Sequence, residues 1–387
     1  MSPFIFKFAN YPTIAIMLIV ALPAATIPKT SGQQATALKA RHQPNKAADN
    51  LVSYLAAHPD DIPALTALAR IRLDQLDTTE AIKLLNHALG LSPNSPGTNN
   101  ALGEIQLQQH QYPKAMDRFE TVLATNLRDV EARKGELAAS TGLALDARAA
   151  GRPEAALECL RHARESLPDD ATLLTDLGIQ SQQMHLLPQA AEALNAALTL
   201  SPQRLDTLYA LARVETDQDH LPEAEQHLRV YLAARPGDPS AHFGLGHVLE
   251  KQLRTEAATA EFQRSIELQP VQTESYYQLG QISLDNHDDA NARLLYEKTL
   301  LRAPRHGGAL TGLGIVAYRA KDWTAARKEL SAAVHSSPDY QPAHYYLGLT
   351  LARMGDKIEA DRELSIAVEL AHKQQGKGGP QPSSEGP

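Results

Sequence analysis

Fifteen histidines and a single cysteine are the residues of this 387-residue chain most readily read as metal ligands or nucleophiles. His242 with His247, His220 with His227, and Cys159 with His162 are the nearest pairs. A zinc site needs three or four such ligands at a recognisable spacing, and none of these pairs has a third. The histidines are therefore expected to be solvated or to line a binding surface, and no metal or cofactor is expected. The acidic run Asp285-Asn286-His287-Asp288-Asp289 lacks the glycine and closing glutamate of a calcium loop and reads as a helix start. Gly312-Leu313-Gly314 is a fragment of a dinucleotide fingerprint with no strand before it. No Gly-x-Ser-x-Gly, phosphate loop or His-Glu-x-x-His occurs, so nucleophile, base and oxyanion donors cannot be assigned. The chain is expected not to be an enzyme.

What would position any such residues is a tandem repeat. Leu68, Leu102, Leu143, Leu177, Leu211, Leu245, Leu279, Leu313 and Leu347 are each followed by Gly or Ala and, thirteen residues on, by Ala. Those alanines run from Ala81 to Ala360, with Ala47 one step earlier, at a spacing of 34 residues except for 41 between Ala115 and Ala156. A period near 34 marks a solenoid of helix pairs in which each unit buries its apolar face against its neighbours. In residues 205 to 238, Leu208, Leu211 and Ala212 stripe one helix, and Ala224, Leu228 and Tyr231 the next. Pro222 pre-sets the start of the second helix, with Pro113, Pro153 and Pro188 at equivalent starts. Pro236 stops that helix, as do Pro59, Pro93, Pro168, Pro202, Pro270, Pro304 and Pro338. The seven extra residues lie within Val130 to Ala150 and are nearly two helical turns, which predicts a lengthened first helix rather than a loop.

Leu-Gly/Ala in the first helix, Ala with an aromatic or Leu in the second, and the closing Pro together resemble the tetratricopeptide repeat. The resemblance covers about 345 of the 387 residues and implies an all-α fold, a right-handed superhelical solenoid of about ten helix-turn-helix units over residues 33–374. The unit near residues 28 to 61 has Gln34 in place of its first-helix Leu and is expected to be an atypical N-terminal cap. Residues 375–387, rich in Gly, Pro and Ser, are expected to be disordered. Ile366, Val368 and Leu370 are then candidates for an exposed apolar edge where the last helix could self-associate.

In such a fold, the resemblance further implies, first helices line a concave groove and the residue two before each Leu points into it. That row reads Tyr209, Phe243, Tyr277, Thr311 and Tyr345, joined by Arg213, His247, Gln281 and Arg319 among others of mixed charge. Rings offer large area at low entropic cost. The expected partner is a protein or extended peptide, with a glycan as second choice; the alternative reading is a carbohydrate-binding or enzyme-accessory protein in cell-envelope assembly. No unit carries the Lys and Asn set of members that clamp a terminal carboxylate, nor the Asn row of sugar-transferring members.

The net charge is −8, and −10 without residues 1–32, whose charged residues are Lys7 and Lys29. That balance argues against nucleic acid as partner. Lys7, the apolar stretch Ile14 to Leu22, and Ala24 and Ala25 read as an export signal with cleavage between Ala24 and Gly32, or as a retained N-terminal anchor. The expected location is periplasmic or secreted, with membrane attachment only if that segment stays. Cys159 has no partner for an internal disulfide and reads as a small apolar helix residue.

Overall fold

A computed structural model describes residues 44–377. The expected export signal or anchor, the start of the expected N-terminal cap repeat near residues 28 to 61, and the tail beyond Lys377 lie outside the described residues. Nineteen helices and no strand make up the described part. It divides between Glu136 and Leu137 into two compact units, and each is built of helix pairs stacked on their sequence neighbours.

The N-terminal unit holds α1 (Pro44–Ala57), α2 (Ile62–Asp74), α3 (Thr78–Leu91), α4 (Pro96–Gln108), α5 (Tyr112–Leu123) and the opening turns of α6 (Val130–Ala149). The C-terminal unit continues with α7 (Pro153–Ser166), α8 (Ala171–Gln183), α9 (Leu187–Leu200), α10 (Leu205–Asp217), α11 (Leu221–Ala234) and α12 (Pro239–Lys251). Then follow α13 (Thr255–Leu268), α14 (Thr273–Asp285), α15 (Asp289–Arg302), α16 (Gly307–Arg319), α17 (Trp323–Ser336), α18 (Gln341–Met354) and α19 (Lys357–Lys377). Even-numbered helices are the first of each pair. The expected prolines stand at the first or second position of α5, α7, α9 and α11, where a missing N–H costs nothing. The eight stop prolines each fall two residues after a second helix; the helices ending at Leu123 and Lys377 have none there.

First helices all end alike. A residue at or just after the cap takes a positive φ at Leu76, His110, Gly151, His185, Asp219, Leu253, His287, Lys321 and Gly355. This is a Schellman turn: Asp77 N–H donates to the Arg72 carbonyl at 2.8 Å and Leu76 N–H to Leu73 at 2.9 Å, and Arg254 and Leu253 repeat the pattern. Such a turn satisfies orphan carbonyls at the helix end. Asp77, Asp288 and Asp322 then cap the following helix through Oδ1, so the Asp285–Asp289 run is a helix start as expected.

Within a pair, Gly at the crossing makes room for a large residue sixteen positions on. A Cβ on Gly246 or Gly280 would strike the ring of Phe262 or Tyr296 at 2.7 Å, and both rings are fully buried. The 41-residue unit has its lengthened first helix: α6 has 20 residues, where most first helices have 13. Its opening keeps the 34-residue register, for Gly135 stands over the Phe119 ring from one side as Gly103 does from the other. Glu136 thereby takes the place of the wall leucine and is fully buried, whereas Leu143, the residue the sequence pattern selects, is only partly buried. Seven residues turn the helix almost a whole number of times, so one face is presented twice.

Two expectations at the C-terminal end need correction. Helix α19 continues to Lys377, three residues beyond the boundary drawn at 374. Leu370 is buried and Ile366 half-buried; Val368 is exposed, so the apolar edge is narrower than the sequence suggests because α19 turns its Leu370 face onto the fold.

Candidate functional site

Three consecutive first helices, α14, α16 and α18, enclose a cavity of about 190 Å³. Gln281, Leu284 and Asp285 of α14 form one wall, Thr311, Ile315 and Arg319 of α16 another, and Tyr340 and Tyr346 from the α18 side a third. Gly308 and Gly312 of α16 also line it, and the space beside each is taken by a tyrosine. A Cβ at Gly308 would strike the Tyr277 hydroxyl at 2.6 Å, and one at Gly312 would run into the Tyr296 ring. The Gly312-Leu313-Gly314 run is thus a packing device within a helix, its second glycine abutting Leu330.

A relay of neutral polar groups lies behind the cavity. Tyr296 Oη donates to Gln281 Oε1, and Gln281 Nε2 donates to Tyr277 Oη at 3.1 Å. Burial lifts the Tyr277 phenol well above its ordinary range, with Tyr340 adding to the effect; burial does the same to Tyr296, with Asp285 contributing. Both phenols therefore stay protonated and act as hydrogen-bonding groups.

Of the eight residues expected in the groove, Gln281 and Arg319 line this cavity and Tyr277 backs it. Arg319 Nη1 bonds the Leu284 carbonyl and Asp289 Oδ1, both at 2.8 Å, so it clips the end of the preceding first helix as well as facing the cavity. The other five stand elsewhere. Tyr209 packs 5.2 Å from the Tyr231 ring and Phe243 5.7 Å from Phe262. Both are partly buried against the same core cluster, and Arg213 lies in the electrostatic neighbourhood of Tyr209. His247 lies parallel to Phe243 with centroids 6.5 Å apart, its Nδ1 3.6 Å from Glu250. Tyr345 is 43% exposed, edge-on to Tyr346. The row two before each Leu is thus divided: Tyr209, Phe243 and Tyr277 are engaged in packing, while Tyr345 is open.

Asp285, Tyr340 and Tyr346 were missed because they sit off that row. The available signal was the pair of glycines four apart, Gly308 and Gly312, facing an aromatic-rich neighbour. A wider depression at Ser201 to Arg204 is open to solvent; Arg204 there is bound to Asp206 and Thr172, and no comparable set of groups converges on it.

The histidines have structural posts. His242 Nδ1 meets Glu261 at 2.6 Å and its Nε2 the Pro236 carbonyl at 3.1 Å. His344 repeats this with Glu363 at 2.6 Å and Pro338 at 2.8 Å. His227 pairs with Glu215 at 2.8 Å, a bond that lifts its pKa. His306 caps α16 by accepting from Ala309 N–H. Cys159 Sγ lies 3.5 Å from the Ser140 carbonyl. Among the described residues, no group of three or more His, Cys, Asp or Glu side chains could hold a metal ion, and no helix is long and apolar enough to cross a membrane.

Helix pairs at a fixed period, crossed at small residues and closed by proline, define a helical-repeat binding scaffold. Two family models, each described as tetratricopeptide repeat, match the chain, one at residues 72–139 and 183–246, the other at 33–96, 277–341 and 311–360. The chain belongs to the tetratricopeptide repeat family, whose members are generally non-enzymatic scaffolds for protein interaction. It is similar to Protein CTR9 homolog of Arabidopsis thaliana, 24% identical over 264 residues, which are 66% of this chain and 24% of that protein. The chain thus spans about a quarter of the length of the curated relative it matches. Among solved structures, a tetratricopeptide repeat protein from Parabacteroides merdae ATCC 43184 aligns with TM-score 0.50 and 16% identity, covering 61% of this chain and 94% of that one. PilF of Pseudomonas aeruginosa aligns with TM-score 0.49 and 20% identity, over 55% and 96%.

Proposed function

We propose that this chain is a non-enzymatic scaffold that holds an extended segment of a partner protein against its first helices, centred on α14, α16 and α18, and so supports assembly of a complex. The observation that carries this reading is the cavity bounded by three successive first helices, with Asp285, Arg319, Tyr340 and Tyr346 converging on it. An extended strand advances about 3.3 Å per residue and neighbouring helices pack about 8–10 Å apart, so successive first helices would each meet every third residue or so. The leader read from Lys7 to Ala25 supports an extracytoplasmic location, and mass spectrometry of the mature N-terminus tests that part: an intact Met1 on a cytoplasmic chain refutes it.

The groove itself is tested by a photo-crosslinking amino acid at Tyr345, exposed on a first helix, and at Val230, exposed on the second helix α11. The Tyr345 position is expected to capture one partner segment that the Val230 position does not. Equal products from both positions, or none from Tyr345, refute the reading.

A further inference from the structure

We infer that the cavity between α14, α16 and α18 receives a basic side chain, lysine or arginine, from the bound segment; this rests on the groove reading above. The argument begins six residues after the wall leucines, where four consecutive units place Asp217, Lys251, Asp285 and Arg319. Three of these are tied to the preceding unit. Asp217 accepts from Gln182 Nε2 at 3.1 Å. Lys251 donates to the Thr216 carbonyl at 3.2 Å and to Asp219. Arg319 bonds the Leu284 carbonyl and Asp289.

Asp285 breaks the series. The residue thirty-five positions before it, where its neighbours find their partner, is Glu250, a second carboxylate where a donor would be needed. Among the described residues Asp285 has no hydrogen-bond or ion-pair partner; it is exposed and faces the cavity. The Arg319 charge is met by Asp289, which leaves one uncompensated negative charge at the opening.

The remaining walls suit a long cationic side chain. Tyr340 and Tyr346 line the cavity, and aromatic rings attract a cation, while the buried Leu284 and Ile315 leave only a narrow apolar margin for its methylenes. An acidic side chain would meet Asp285 head-on, and an apolar one would cover its carboxylate without pairing it.

The test is selection of random peptides displayed on phage against the full-length chain, run in parallel on wild type, Asp285→Asn and Asp285→Lys. Far-UV circular dichroism and melting show that the variants fold; the position is exposed at the end of α14, so they are expected to. The wild type is expected to enrich Lys or Arg at one peptide position, Asp285→Asn to lose that enrichment with an affinity drop of about tenfold for the selected peptides, and Asp285→Lys to enrich Asp or Glu. Peptides that crosslink to the Tyr345 position yet show no basic preference, or the same preference in Asp285→Asn, overturn the cation pocket and leave the groove standing. A library that yields no binder overturns both.

Discussion

Glu136 puts a stability cost on a specific pH window. It occupies a wall-leucine position, is fully buried, and neither carboxyl oxygen has a hydrogen-bond partner. Burial, with the charges of Glu120 and Asp117 adding to it, raises its pKa from 4.5 to about 8. Between those two values the folded chain keeps a proton that the unfolded chain has released, so stability falls as pH rises across the window. Each pKa unit is about 1.36 kcal/mol, so the penalty relative to acid pH grows to roughly 3 kcal/mol by pH 7 and levels near about 5 kcal/mol above pH 8. Below pH 4.5 it vanishes.

The perturbation is Glu136→Gln, which keeps the shape and removes the titration. Urea unfolding followed by circular dichroism at half-unit steps from pH 4.5 to 9 gives the difference between variant and wild type. That difference is expected to widen steadily in favour of the glutamine variant up to about pH 8 and then to stay constant. Parallel pH profiles for the two proteins would show that the folded chain hydrates this carboxylate, and would refute the reasoning. Glu136→Leu should be more stable still at pH 8, since it restores the apolar wall residue of the other units.

Leu253 sits at positive φ and is 88% exposed, so Leu253→Gly removes strain at little cost in burial and is expected to stabilise by about 1 kcal/mol; a lowered melting temperature would count against it. His344→Ala strands the Glu363 carboxylate and the Pro338 carbonyl and is expected to cost about 2–4 kcal/mol, read as faster amide exchange in α17 to α19; unchanged exchange there would remove the lock. Ala258→Leu overpacks the fully buried crossing of α12 and α13, at about 1–3 kcal/mol, and thermal unfolding no lower than wild type would contradict the close approach inferred there.

The helix pairs were legible because their signals are local and repeated. Pro222 and Pro236 bracket α11 in the sequence as they do in the fold, and the seven inserted residues could be placed on a helix from the helical period alone. The Schellman turns were not legible, since seven of the nine positive-φ positions carry Leu, His, Asp or Lys rather than Gly; the backbone there is set by helix packing on both sides, against local preference. The roles of His242 and His344 were hidden for a related reason. Each bond joins three elements, and only the fold shows that a residue three before the wall leucine meets both the stop proline carbonyl and a side chain nineteen positions on. Asn99 makes the first of these bonds at 2.8 Å with a different side chain, so no residue identity marks the position.

The same logic explains why the row read from the sequence meets only part of the candidate cavity. Any row of first-helix residues lies beside the next unit, so polar and aromatic side chains in it have two uses: to bind the neighbouring repeat or to bind a guest. In the N-terminal half the row two before each leucine bonds the next unit directly, as with Thr66 to Thr98 at 3.1 Å and Thr175 to Thr207 at 2.6 Å. Tyr209, Phe243 and Tyr277 are largely taken up in the same way, which residue type alone cannot reveal. Under the proposed reading, binding capacity is left where the repeat fails to satisfy itself. At Asp285 the preceding unit offers Glu250 where its neighbours offer a donor or a carbonyl. In a periodic scaffold, departures from mutual satisfaction are therefore a sharper guide to the site than the presence of aromatic or charged residues.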